Sequence, residues 1–144
     1  MKPRVRISVF AIFAVVVASA AACSNKHAPT GSSGASQVSL HPTVATQVSG
    51  NSLTLLRVDN DSRCSVDVTC VWAGNATVVF TITFAGQVGV LPAQQFLNTT
   101  VEPRSLVLNG YSFRLDSLLP RPVSTHTITQ GEYVAYMTVR QMLD

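Results

Sequence analysis

The sequence is short of charge, of cysteine and of any catalytic signature. Only 12% of its residues are charged against 47% hydrophobic, a balance that excludes an intrinsically disordered chain. The formal net charge of +3 comes from Lys2, Arg4 and Arg6, because from Cys23 onward seven Lys or Arg meet seven Asp or Glu. A chain that is neutral past its leader has no electrostatic footprint for nucleic acid or anionic lipid. No lysine follows Lys26, and the folded part holds two histidines, His41 and His126. There is no G-x-S-x-G, no H-E-x-x-H and no Gly-rich phosphate loop. A Ser–His–Asp set that converges only in three dimensions stays open. Yet Ser124-Thr125-His126-Thr127 has the composition of a polar loop, and His41 precedes Pro42 in an extended stretch. These absences point to a non-enzymatic protein with no cofactor and no metal.

What is present begins with an address. Lys2, Arg4 and Arg6 form a basic start, and Val9 to Ala22 then runs apolar except for Ser19. That run is shorter than the roughly 20 residues a membrane-spanning helix needs. Residues 1–22 therefore have the form of a cleaved signal peptide. Ala20-Ala21-Ala22 directly before Cys23 resemble the lipobox of bacterial lipoproteins, with alanine where leucine is usual at position 20. The resemblance implies that Cys23 becomes the mature N-terminus and carries acyl chains, palmitate among them. The partner is then a membrane, reached through the lipid. Ser24 is compatible with sorting to an outer membrane. Cys23 is also the odd cysteine of three, and a leftover exported thiol calls for such an explanation. The alternative is an A-x-A cut after Ala22 that releases a soluble secreted or periplasmic protein.

Residues 23–36 comprise the lipidated cysteine and a tether. Nine of the thirteen residues in Ser24–Ser36 are Ser, Thr, Gly, Pro or Asn, with no large aliphatic or aromatic side chain. Such a segment cannot bury enough surface to offset its ordering entropy. As a coil it averages about 20 Å end to end.

Residues 37–144 form the single folded domain. Helical periodicity is hard to find, whereas alternation is plain. Val78, Phe80, Ile82 and Phe84 alternate with Thr77, Val79, Thr81 and Thr83. Tyr111, Phe113 and Leu115 form a second apolar stripe, and Tyr133, Ala135, Met137 and Val139 a third. Period two in Val-, Thr-, Phe- and Tyr-rich runs predicts half-buried strands. Weaker strands are expected at Gln37–Leu40, Leu53–Val58, Gln87–Val90, Phe96–Val101 and Ser105–Leu108. Asn109-Gly110 is a two-residue hairpin signal, since both residues tolerate positive φ. Leu118-Leu119-Pro120-Arg121-Pro122 is expected to leave the sheet, because proline donates nothing to a ladder. About eight short strands predict an all-β antiparallel sandwich of immunoglobulin-like type, with a partly closed barrel as the alternative.

The most distinctive stretch is DNDSRCSVDVTCVWAGN, Asp59 to Asn75. Cys64 and Cys70 are the remaining pair in an exported chain, where disulfides persist. Closing so short a loop stabilises by roughly 2.4 kcal/mol on the chain-entropy model. Two readings of the loop stay open. In the first, the disulfide and a buried Trp72, the only tryptophan, staple one end of the sandwich. In the second, Asp59, Asp61, Arg63, Asp67 and Trp72 form a binding loop, since Arg and Trp are enriched at binding hot spots. Asp59, Asp61 and Asp67 fail the EF-hand template, which would put Arg63 and Cys64 at its fifth and sixth positions. They are expected instead to cap turns or pair with Arg63. A zinc site would need two ligands beyond the two cysteines.

DSRC, a short loop and CVWAG resemble a motif of small, mostly uncharacterised bacterial secreted proteins and lipoproteins, D-S-R-C-P followed by C-x-W-A-G. A P-x-P segment and a Tyr-containing strand come later in that pattern, matched here by Pro120, Pro122 and Tyr133. Ser65 stands where the family usually has proline. The resemblance implies a compact envelope β domain and no particular activity. The expected function is an envelope-anchored, non-catalytic β module with a binding or structural role and an envelope protein as candidate partner. The alternative is an inhibitor or immunity-type protein that acts on an envelope hydrolase through Asp59–Gly74.

Overall fold

Eight strands, all antiparallel, build two four-stranded sheets in a computed structural model that describes residues 34–87 and 91–142. The strands are β1 (Ser36–Leu40), β2 (Ala45–Val48), β3 (Asn51–Asp59), β4 (Thr77–Thr83), β5 (Ala93–Asn98), β6 (Ser105–Leu108), β7 (Tyr111–Leu119) and β8 (Val134–Gln141). One sheet has the order β1-β8-β7-β6, the other β2-β3-β4-β5. The expected sandwich is therefore borne out, and a closed barrel is not, because β1 does not pair with β2 nor β5 with β6. Apart from β1 beside β8, sheet neighbours are also chain neighbours. The likeness to immunoglobulin domains thus lies in the two layers, whereas the Greek-key connections of those domains are replaced by a meander.

The three apolar stripes face one another between the layers. Val78, Phe80 and Ile82 from β4, Phe113 and Leu115 from β7, and Ala135, Met137 and Val139 from β8 are all buried. Leu40, Leu53, Leu55, Val58 and Leu97 complete the interior. Two bulges keep the pattern in phase. The register shifts between Leu55 and Arg57 on β3 and between Leu115 and Ser117 on β7. Each extra residue turns the next apolar side chain inward, so Val58 and Leu118 are buried where strict alternation would have chosen Arg57 and Ser117.

Two expectations about strands need correction, and one strand was not expected. Leu118 and Leu119 remain in β7, paired with Ala135 and Val134, and departure begins at Pro120. The strand expected at Phe96–Val101 is Ala93–Asn98, ended by Asn98, whose buried amide bonds sideways. Strand β2 had no clear signal, being four residues long and mostly exposed. For Gln87–Val90, Gln87 is outside any strand and residues 88–90 lie outside the described residues. The signal peptide at residues 1–22, the acylation of Cys23 and most of the tether also lie outside them. Among the described residues, no helix is long and apolar enough to cross a membrane.

The two ends of the sandwich differ. At one end the chain reverses through Ser49-Gly50 and Asn109-Gly110, each pair with both φ angles positive, as a two-residue hairpin demands. At the other end lie the long β3–β4 and β7–β8 connections, and the cysteine loop is in the first of these.

Candidate functional site: the disulfide loop

The loop begins as a narrow antiparallel arm. Ser62 N–H donates to Asn75 O at 2.7 Å and Cys64 N–H to Ala73 O at 2.9 Å. The Ser62 hydroxyl also bonds the Asn75 backbone. Two backbones this close leave no room for a side chain between them. Gly74 sits there with φ of +67°, and a Cβ on it would stand 1.8 Å from Ser62 O. Only glycine meets both conditions.

Arg63 fixes the base of this arm to the second long connection. Its guanidinium grips Asp61 in bidentate fashion, Nε to Oδ1 at 2.8 Å and Nη2 to Oδ2 at 2.7 Å. It also donates to the carbonyls of Leu118 and Pro120. Asp61 in turn accepts from the Arg63 N–H at 3.2 Å and the Tyr133 hydroxyl at 3.0 Å. Both charged side chains are nearly buried, at 11% and 12% exposure. Burial alone would raise the Asp61 carboxyl, but the hydrogen bonds and charge of Arg63, with help from Tyr133, hold it below its ordinary value. Burial first, and then Asp61, push the Tyr133 phenol up to about 12. A charge pair this dry is strongly destabilising to break from one side.

The docking continues outward residue by residue. Val66 N–H donates to Pro122 O at 2.9 Å. Asp67 accepts from the Ser124 N–H and hydroxyl, which lowers its pKa. Pro120, Pro122 and Tyr133, met in the sequence as separate marks, thus meet Asp61, Arg63 and the loop at one place. Cys64 and Cys70 are bridged, with their Cα atoms 5.9 Å apart.

Past the bridge the chain turns outward. Trp72 is 78% exposed and Val71 94%, with Val66 and Val68 about half exposed. The reading that buries Trp72 as a staple is therefore corrected. The stapling belongs to Arg63, Asp61 and Tyr133, whose side chains are bonded to one another at the loop base. The idea of Arg63 as an exposed recognition residue is corrected as well: its donors are used internally. Asp59 stands apart from Asp61, paired on the surface with Arg57. The three aspartates of the loop face three different partners, and among the described residues no group of three His, Cys, Asp or Glu converges as a metal site.

Sequence reasoning missed Val66, Val68 and Val71 as surface. Val66 and Val68 alternate with Asp67 and Thr69 as a strand would. The signal lay in the bridge itself: a six-residue separation closed by a disulfide is too short to pair into a sheet. Gln130 was missed too. Its amide bonds both the N–H and the carbonyl of Val58, tying the end of β3 to the second connection.

The other polar groups have structural tasks. His126 Nε2 lies 2.9 Å from Glu132 Oε1, and Thr129 donates from its N–H and hydroxyl to Glu132 Oε2. Those Thr129 bonds first, and then His126, lower Glu132 to about 2. Here the carboxylate sits between hydroxyl and imidazole, so the histidine has no hold on the hydroxyl, the reverse of the order that activates a nucleophile. His41 is exposed. Asn75 and Asn98 are bonded to each other and to Thr77, Thr99 and Thr100. No family profile matches the chain, and no curated protein or solved structure matches it.

Proposed function

We propose that this protein is an exported bacterial envelope lipoprotein, anchored by acyl chains on Cys23, whose β domain binds another protein through the Val66–Trp72 tip. It acts without catalysis. The observation that carries the reading is Trp72, 78% exposed at the end of a loop whose base is locked by a nearly buried ion pair. Large exposed apolar side chains grouped on a soluble domain mark interaction sites. A tip fixed in advance by a disulfide and a salt bridge loses little entropy when it docks. The signal-like leader, the small residues before Cys23 and the Cys64–Cys70 pair support an oxidising, membrane-attached location. A preset loop of this kind also suits the second reading, an inhibitor that inserts the tip into an envelope hydrolase.

A photo-crosslinking amino acid placed at position 72 in the living cell tests the proposal. The expected result is one crosslinked protein, absent when the same group replaces Val107 on exposed β6 and lost in C64S/C70S. Equal products at both positions, or products indifferent to the disulfide, would contradict it.

A further inference from the structure

The two limbs of the cysteine loop are held by different means. The first is bonded at nearly every step: Ser62 to Asn75, Arg63 to Asp61 and two carbonyls, Cys64 to Ala73, Val66 to Pro122, and Asp67 to Ser124. The second is not. Val68 N–H reaches only Ser65 O, at 3.4 Å. Thr69, Cys70, Val71 and Trp72 are all exposed, and among the described residues none of them makes a hydrogen bond or salt bridge to the protein. Between Val68 and Ala73, only the Cys64–Cys70 bond ties the chain to the rest of the domain.

That bond is open to attack. Cys70 is exposed, as are the residues on both sides of it. Cys64 lines a groove of about 250 Å³ together with Arg121, and among the described residues no carboxylate pairs with that guanidinium. A positive charge nearby favours a departing thiolate, and exposed disulfides are the ones that exchange readily. One thiolate of a dithiol bonds to Cys70 Sγ as the bridge breaks, and Cys64 leaves as a thiolate. The second thiolate then bonds to the first sulfur of the dithiol, and Cys70 leaves in turn. Two electrons pass from the dithiol, which ends as a disulfide, and each cysteine takes up a proton. Ser65 O and Val68 O, 3.5 and 3.8 Å from Cys64 Sγ, are placed to accept the new S–H.

We propose that Cys64–Cys70 is a redox clip, opened in the folded protein by a dithiol reductant, and that opening releases Thr69–Trp72 while Ser62–Asp67 stays docked. The oxidised tip is preset; the reduced one must be ordered before it can dock. The consequence for docking rests on the binding-module reading, whereas the opening itself does not.

The full-length protein, treated with dithiothreitol in native buffer, then alkylated and mapped at Cys64 and Cys70, tests this. Both cysteines should be alkylated at a rate that urea below the unfolding transition leaves unchanged. The reduced chain should still unfold cooperatively, and the amides of Ser62, Cys64 and Val66 should keep their hydrogen-exchange protection to within about tenfold. The anisotropy of Trp72, the single tryptophan, should fall about twofold as nanosecond loop motion sets in, and recover on reoxidation. C64S/C70S should match the reduced chain. Alkylation that appears only as the domain unfolds, loss of protection at Ser62 or Cys64, or an unchanged Trp72 anisotropy would each overturn the clip. If these readouts hold while crosslinking from position 72 fails, the binding reading falls and the clip stands.

Discussion

The two ends of the sandwich make their glycines do different work. Gly110, in the β6–β7 turn, and Gly74, in the disulfide arm, have nearly the same φ, +72° and +67°. A Cβ on Gly110 meets nothing within 4 Å, whereas one on Gly74 collides with the Ser62 backbone. At the turn end, backbone conformation alone reverses the chain. At the loop end, conformation, close approach, an ion pair and a disulfide are all engaged, and the apolar side chains they support face water. That contrast in fixed structure is what the proposed binding role of the tip rests on.

Breaking the ion pair should show the largest effect. R63A strands Asp61 in a nearly buried site and leaves two carbonyls without their donor. Urea unfolding is expected to lose about 3 kcal/mol or more, with little recovery in R63K, whose point charge cannot make the bidentate grip. A loss below about 1 kcal/mol would reduce the pair to an ordinary surface contact.

The glycine pair comes next. G110A should cost about 1 kcal/mol, the conformational penalty alone. G74A should cost at least about twice that, because backbone must also move. Equal losses would erase the distinction between the ends.

Acid gives a gentler probe. Asp61 is held below its ordinary value in the folded chain, so its contribution is complete above the unfolded value of about 4 and drains as pH falls through the folded one. Melting temperature should therefore drop on acidification below about pH 4, and less steeply in D61N. An unchanged slope in D61N would assign acid sensitivity to other carboxylates, Glu132 first among them.

The smallest effect belongs to the tip. W72A should alter stability by no more than about 0.5 kcal/mol, as for a surface residue that supports nothing.

How much of this was legible before the structure follows from the physics of each signal. The stripes of β4, β7 and β8 were readable because one face is buried and the other is not, which writes period two into the residues. Asn109-Gly110 was readable because its φ angles restrict which residues fit. The phase shifts on β3 and β7 were hidden, since a bulge leaves no mark beyond a broken alternation that a strand end would also leave. Arg63 was visible as a partner for a carboxylate, but its reach to Leu118 and Pro120 spans more than fifty residues and is set by topology. Trp72 was the sharpest miss. A lone tryptophan commonly anchors a small core, and here that core is already filled by Phe80, Phe113, Leu55 and their neighbours.

Acrylamide quenching of the single tryptophan tests the central claim most directly, namely that the loop presents its apolar tip to solvent over a locked base. The account predicts that Trp72 in the folded chain is quenched almost as readily as after unfolding in urea, in a protein that still unfolds cooperatively. An indole shielded in the folded state and released only by denaturant would place Trp72 in the interior and contradict it.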